Sequence, residues 1–237
     1  MSPTSPVYVA IDTPEPEAAR DLLGWLRGTV GGAKLGLEFF CAAGPDGIRR
    51  VTDGLDLPLF LDLKFHDIPN TVAGAVRSVV PLAPRFLTIH TSGGGAMMRA
   101  AAEAAAEEAA RLGVERPRIL GVTVLTSLGS EDLAAVGQDK MMADQVRRLA
   151  ALARTSGIDG VVCSPNECAV LRGDLGPDFT LMVPGIRPAW AAANDQKRVM
   201  TPREAIAAGA THLVIGRPIT HADDPAAAAR RIAEELA

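Results

Sequence analysis

The segment Pro58–Thr71 reads Pro-Leu-Phe-Leu-Asp-Leu-Lys-Phe-His-Asp-Ile-Pro-Asn-Thr and holds three charges in an apolar setting. Asp62 and Lys64 stand two apart. On a strand they project to one side, while Leu61, Leu63 and Phe65 face the other. Burying two charges is costly unless they are paired. An isolated Asp-x-Lys is ordinarily a strand-end ion pair. Here Asp67 adds a carboxylate just past the strand, and Lys34, in Gly31-Gly-Ala-Lys-Leu-Gly36, adds an ammonium. A Lys-Asp-Lys-Asp array carries more charge than a core needs. Its chemistry would be electrostatic, the stabilisation of developing charge and the movement of a proton.

Other residues point to an anionic ligand. Arg217 follows Gly216 in His212-Leu-Val-Ile-Gly-Arg-Pro218. Glycine permits close backbone approach, and a guanidinium is a bidentate fork for phosphate. Arg187 and Gln196 lie in the stretch from Gly185 to Met200, which has no clear periodicity. Long loops in compact domains are often lids or binding loops, so this one is expected to close on a phosphate. Asp12 closes an early apolar run and has two readings, N-cap of the next helix or acceptor for a sugar hydroxyl. Asp67 and Thr71, four apart, can share a face of one helical turn begun by Pro69. His66 reads as structural, pointing differently from Lys64, and His90-Thr-Ser-Gly-Gly-Gly95 reads as a turn.

These residues need a scaffold. Strand candidates are Val7–Ile11, Ala33–Gly36, Leu59–Lys64, Phe86–His90, Ile119–Leu125, Gly160–Ser164, Leu181–Gly185 and His212–Gly216. Several are apolar on consecutive positions, as strands covered on both faces are. Helical segments alternate with them: Pro14–Arg27, Ala96–Leu112 capped by Gly113, Lys140–Ser156, Pro202–Ala208 and Asp224–Leu236. In Lys140–Ser156 the residues Met141, Gln145, Leu149 and Leu152 form one stripe, and the Ala-rich stretch Ala100–Ala110 reads as an exposed helix. Strand–helix alternation repeated eight times predicts an α/β fold, a single (β/α)8 barrel. In that fold the candidate residues end strands at the C-terminal face, and the loops after strands seven and eight are the usual phosphate site. A doubly wound open sheet is the alternative. It wants a Gly-rich turn after the first strand, and Val7–Pro14 contains no Gly-x-Gly. Residues 7–237 are expected to form one domain behind a flexible N-terminal extension, residues 1–6.

Composition narrows the function classes. The chain has 237 residues, 48% of them hydrophobic, enough for a barrel core, and a net charge of −4. With no basic block and no aromatic platform among cations, nucleic acid is not an expected partner. Cys41, Cys163 and Cys168 fit neither a disulfide framework nor zinc spacing and are expected to be free buried thiols. The N-terminus does not look like a signal peptide, and no apolar run approaches the ~18 residues of a membrane span. A soluble, cytoplasmic protein with no membrane partner is expected.

With these residues in place, the chain resembles the orotidine 5'-monophosphate decarboxylases. Asp62-Leu-Lys-Phe-His-Asp-Ile-Pro-Asn-Thr71 is the most specific match. Val9-Ala-Ile-Asp12, Lys34-Leu-Gly36, Val124-Leu-Thr-Ser127, Val183-Pro-Gly-Ile-Arg-Pro188, Asp195-Gln196 and Ile215-Gly-Arg-Pro218 follow in order. The resemblance spans Val7 to Leu236. It implies conversion of orotidine 5'-monophosphate to UMP and CO2 in pyrimidine biosynthesis. It also implies a homodimer in which Asp67 and Thr71 reach the partner's site. Asp12 and Lys34 would contact the ribose, and Thr126 and Ser127 would lie near the pyrimidine. Arg187, Gln196, Gly216 and Arg217 would hold the phosphate, with Gln196 also placed to touch the base. Lys64 would donate a proton to C6, Asp62 would lie near the departing carboxylate, and Lys34 with the partner's Asp67 would keep Lys64 charged. No metal or cofactor enters this scheme. The rival within the superfamily is a metal-dependent sugar-phosphate enzyme sharing Asp-x-Lys-x-x-Asp, against which the Phe65-His66 and Ile68-Pro-Asn-Thr71 context speaks. A non-catalytic phosphate-binding barrel is the rival of another class, and carboxylates are poor lining for an anion site.

Overall fold

A computed structural model describes residues 5–138, 141–191 and 200–237. Its strands are β1 (Val7–Ile11), β2 (Gly32–Gly36), β3 (Leu59–Phe65), β4 (Phe86–His90), β5 (Arg118–Val122), β6 (Gly160–Val162), β7 (Thr180–Val183) and β8 (His212–Ile215). All pair in parallel in sequence order, and β8 returns to β1, so the sheet is a closed barrel. The helices are α1 (Pro16–Leu26), α2 (Leu37–Thr52), α3 (Pro69–Val79), α4 (Gly94–Leu112), α5 (Ser130–Ala135), α6 (Met142–Thr155), α7 (Cys168–Leu175), α8 (Pro202–Ala207), α9 (Arg217–Thr220) and α10 (Pro225–Leu236). Helices intervene between successive strands, as parallel pairing demands. The expected (β/α)8 barrel is the fold of the protein.

Alternation along each strand sorts the core into two parts. Val7, Val9, Ile11, Leu35, Leu59, Leu61, Leu63, Leu87 and Ile89 join the large cluster beneath the helices. Tyr8, Ala10, Phe60, Phe86, Leu120, Met182 and Val214 form the smaller cluster inside the barrel. Its lower layer is aromatic, with Tyr8 edge-on to Phe86 at 5.4 Å and Phe60 edge-on to Phe86 at 6.0 Å between centroids. Gly32 makes room for it, since a Cβ there would lie 2.2 Å from the Tyr8 ring. The inward positions of β2, β3 and β4 continue upward to Lys34, Asp62 and Thr88. The barrel is therefore apolar below and charged at its mouth.

Several local expectations need correction. Strands β5, β6 and β7 end two or three residues earlier than the apolar runs suggest. Thr123 leaves the ladder and bonds Val162 O through both its N–H and its hydroxyl, and Ser164 N donates to the Glu167 carboxylate. Helix α2 lies outside the helical segments expected by residue range, and it contains Gly44-Pro45. The helix accommodates the pair as a kink, with Gly44 at φ 62°. The Ala-rich helix α4 is not simply exposed. Ala101, Ala104, Ala105 and Ala109 are buried, and small side chains let α4 pack closely on α3. On α6 the buried stripe is Gln145, Val146, Leu149, Ala150 and Ala153, turned away from Met141 and Leu152, which are exposed. Cys163 and Cys168 are buried as expected, but Cys41 is exposed on the outer face of α2, where Phe39 takes the core position. Pro6 O accepts from Leu213 N, so the chain is already tied to β8 one residue before β1. Among the described residues no helix is long and apolar enough to cross a membrane.

Candidate active site

The charged array assembles at the C-terminal mouth of the barrel. Asp62 Oδ2 accepts from Lys64 Nζ at 2.8 Å and lies 3.6 Å from Lys34 Nζ. The sequence places these groups together by strand alternation, but β3 is not regular there. Leu61 pairs with Leu87 and Phe65 with Ile89, so four steps on β3 face two on β4. The surplus bulges at Asp62–Lys64. Lys64 itself has φ 50°, in the left-handed region that costs a non-glycine residue on the order of 1–3 kcal/mol. Bulges re-aim side chains next to active sites. The approach of Lys64 to Asp62 thus comes from a bulge as much as from a two-residue period.

Burial opposes ionisation of Asp62. The Lys34 and Lys64 ammonium groups outweigh that, helped by hydrogen bonds from Lys64 and Thr88, and hold the carboxyl below the usual carboxylate range. Thr88 is fully buried, and its hydroxyl donates to Asp62 Oδ1 at 2.8 Å. Sequence reasoning missed it. The available signal was one hydroxyl at an inward position of the apolar strand Phe86–His90. His90 stands one inward step above Thr88, with its ring 5.5 Å from that of His66. Burial first, then the charges of His66 and Lys64, keep His90 below the ordinary histidine value.

A cleft of about 200 Å³ joins the array to the ends of β1, β7 and β8, and Asp12, Lys34, Gly185, Arg187, Gly216 and Arg217 are among its lining residues. A second hollow of about 250 Å³, which Arg187, Trp190 and Arg217 help to line, adjoins it. The structure removes the capping reading of Asp12. The residue capping α1 is Glu15, through its backbone, and Asp12 is an exposed group at the cleft. A Cβ on Gly216 would come within 3.4 Å of Asp12 Oδ2, so glycine keeps this end open. Arg187 is buried, and its backbone N–H donates to Met200 O, which ties the start of the long loop to its end. Gln196 lies outside the described residues. A larger cavity, about 550 Å³, opens at the other end of the barrel around Tyr8, Arg85 and His212. It is remote from the lysine–aspartate array.

Not every candidate joins this constellation within one chain. Thr126 and Ser127 are exposed in the loop after β5. Asp67 and Thr71 are exposed at the start of α3, and Asp67 Oδ1 accepts from the Ile68 N–H at 2.6 Å. Among the described residues, no hydrogen bond or ion pair links Asp67 to Lys64 or Lys34. Nor is any group of three or more His, Cys, Asp or Glu placed to hold a metal ion among them.

Comparison with known proteins matches residues 5–232 to the family model described as Orotidine 5'-phosphate decarboxylase / HUMPS family. The chain belongs to this family. An orotidine 5'-phosphate decarboxylase of Rhodospirillum rubrum is 60% identical over 232 residues, 98% of this chain and 94% of that one. One from Paramagnetospirillum magneticum is 58% identical over 98% of each chain. Among solved structures, orotidine 5'-phosphate decarboxylase from Lactobacillus acidophilus superposes with a TM-score of 0.86 at 38% identity, covering 98% of this chain and 99% of the other. As a member of the orotidine 5'-phosphate decarboxylase family with relatives of this kind, the protein is an enzyme, a carboxy-lyase.

Proposed function

We propose that this enzyme converts orotidine 5'-monophosphate to UMP and CO2, without metal or organic cofactor, using Lys64 as the proton donor. The observation that carries the reading is the contact of Lys64 Nζ with Asp62, itself beside Lys34, at the end of a cleft furnished with arginines. Family membership and the full-length relatives support the decarboxylation itself.

Breaking the bond between C6 and the carboxylate leaves the electron pair on C6 in a vinyl-type carbanion. Cofactors normally supply the sink for such a pair. In this scheme the Lys64 ammonium stands where that charge develops, lowers its energy and passes a proton to C6. Neutral lysine then regains its proton from solvent. Asp62 lies near the departing carboxylate, and their repulsion is relieved as neutral CO2 leaves. The donor set favours a metal-free reading. The buried carboxylate of the array is already engaged by two ammonium groups, and a divalent cation would have to displace them.

The other assignments complete the proposal. Asp12 and Lys34 hold the ribose, and Thr126 and Ser127 lie by the pyrimidine. Gly216, Arg217, Arg187 and Gln196 hold the phosphate. Binding energy gained at the remote phosphate can drive closure of the loop after β7 and complete the charged site. A homodimer explains the placement of Asp67 and Thr71. Both are exposed on a lip that also carries Ile68, 67% exposed, and would serve the partner's site. The chain acts as one catalytic domain, residues 7–237, in the cytoplasm, with neither nucleic acid nor membrane as partner.

The test is ultraviolet absorbance of orotidine 5'-monophosphate mixed with purified protein, with and without EDTA. Equal and complete conversion to UMP in both is expected. Activity that EDTA abolishes and a divalent ion restores would overturn the metal-free scheme, and no turnover by the folded protein would overturn the substrate assignment.

A further inference from the structure

Lys64 carries a strained backbone inside a bulge, so something must hold it there. The two surplus residues of β3 take the Lys64 amide out of register with β4. A buried N–H without a partner costs about as much as a lost hydrogen bond. The Lys64 N–H instead donates to Thr88 Oγ1 at 2.9 Å. The same hydroxyl turns its one proton to Asp62 Oδ1 at 2.8 Å. A single buried oxygen thus replaces a missing ladder carbonyl for one member of the array and fixes the carboxylate of another. With Oδ1 held by Thr88, Oδ2 is turned to Lys64 Nζ at 2.8 Å and to Lys34 Nζ at 3.6 Å.

We infer that Thr88 is a positioning residue, whose hydroxyl locks the bulge of β3 and thereby sets the Lys64 ammonium and the Asp62 carboxylate in their reactive geometry. The inference rests on the decarboxylase reading for its activity readout, but the anchoring can be measured without substrate. Thr88 sits at the inward position directly above Phe86, whose ring belongs to the aromatic layer. Rigid packing below and the strand on either side leave the hydroxyl little freedom. That matters because displacement of a catalytic group by about 1 Å can cost about a hundredfold in rate.

The experiment compares Thr88→Val, Thr88→Cys and Thr88→Ser. Valine keeps the branched shape and loses both hydrogen bonds. Serine keeps the hydroxyl and loses a methyl. Cysteine keeps the volume with a weak donor, and it serves if the valine variant does not fold. For orotidine 5'-monophosphate, Thr88→Val should lower kcat about a hundredfold, with KM and the affinity for UMP within about threefold of the parent. Thr88→Cys should fall in between, and Thr88→Ser should recover to within about fivefold of the parent kcat. Amide hydrogen exchange at Lys64 should be slow in the parent and the serine variant, and fast in the valine variant. Parent-like kcat in the valine or cysteine variant would overturn the inference. So would equal losses in serine and valine, or a loss confined to KM. If the parent protein does not turn over orotidine 5'-monophosphate, the substrate reading fails, and Lys64 exchange alone decides on the anchor, unchanged protection in Thr88→Val refuting it.

Discussion

Replacing Asp62 by Asn tests whether the array is an electrostatic unit. Asparagine keeps the shape and can still accept the Thr88 hydroxyl, but it removes the charge between two ammonium groups. At an effective dielectric constant of about 20, attraction is worth roughly 6 kcal/mol at the Lys64 distance and 5 kcal/mol at the Lys34 distance, the separations being 2.8 and 3.6 Å. Most of that is offset by the hydration the three groups forgo, several kcal/mol per ion. Their side chains are 12–28% exposed, so solvent screening is limited. Breaking a buried pair from one side typically costs about 3–5 kcal/mol, because the partner charges stay behind. We therefore expect Asp62→Asn to lose about 3 kcal/mol at pH 7, a fall in Tm of roughly 6–12 °C for a chain of this size. Urea unfolding with an unchanged slope would measure it directly.

The pH dependence gives the argument its sign. The folded carboxyl of Asp62 titrates below the ordinary aspartate value, so its contribution is present above the unfolded value, about 3.9, and is lost as pH falls through the folded one. The gap between parent and variant should stay constant from pH 7 to about 5 and close in stronger acid. A variant as stable as the parent at pH 7 would refute the reasoning, as would a gap that survives protonation of the carboxylate.

Three further outcomes can be checked. Lys64→Ala should abolish decarboxylation, by at least about a thousandfold in kcat, while leaving the circular dichroism of the barrel intact, and substantial residual turnover would exclude Lys64 as proton donor. Arg217→Ala should weaken UMP binding by about 2 kcal/mol or more, roughly thirtyfold in Kd by calorimetry, and unchanged affinity would remove Arg217 from the phosphate site. His212, at the base of the barrel among Tyr8 and Phe86, is pushed down to about 4 by burial first and then by Arg118 and Arg85. Below about pH 6.5 the unfolded chain takes up a proton that the folded barrel refuses, so stability should fall from pH 6.5 to 4 by up to roughly 3 kcal/mol. His212→Phe keeps a ring against Tyr8 and Phe86 and should flatten that portion of the stability–pH curve, which denaturant titrations at each pH would show.

Much of this protein is legible along the chain because its signals are local. Eight apolar runs separated by helix-length segments determine a parallel α/β sheet, since parallel strands need crossovers and both faces of such a sheet are covered, and the pairing of β8 with β1 closes it into a barrel. The charges in Asp62–Asp67, Lys34 and Arg217 announce themselves because charge is expensive near an apolar strand. The kink of α2 is also local in origin. Gly44-Pro45 breaks helical geometry, and only packing of Phe39, Ile48 and Val51 against the sheet carries the helix through it.

Tertiary structure decided what depends on two strands at once. Period-two alternation brings Lys64 to the side of Asp62, yet the observed contact is made through a bulge with Lys64 at positive φ, and a bulge is a mismatch between β3 and β4 that neither strand encodes alone. Thr88 looks like one more β-branched residue until closure of the barrel sets its hydroxyl between Asp62 and the Lys64 amide. Asp12 was ambiguous for the same reason: cap or cleft is settled by where α1 begins and by how closely β8 brings Gly216. Strand alternation specifies which residues share a face. Which inward residues touch is set by register and closure, and those are properties of the assembled sheet.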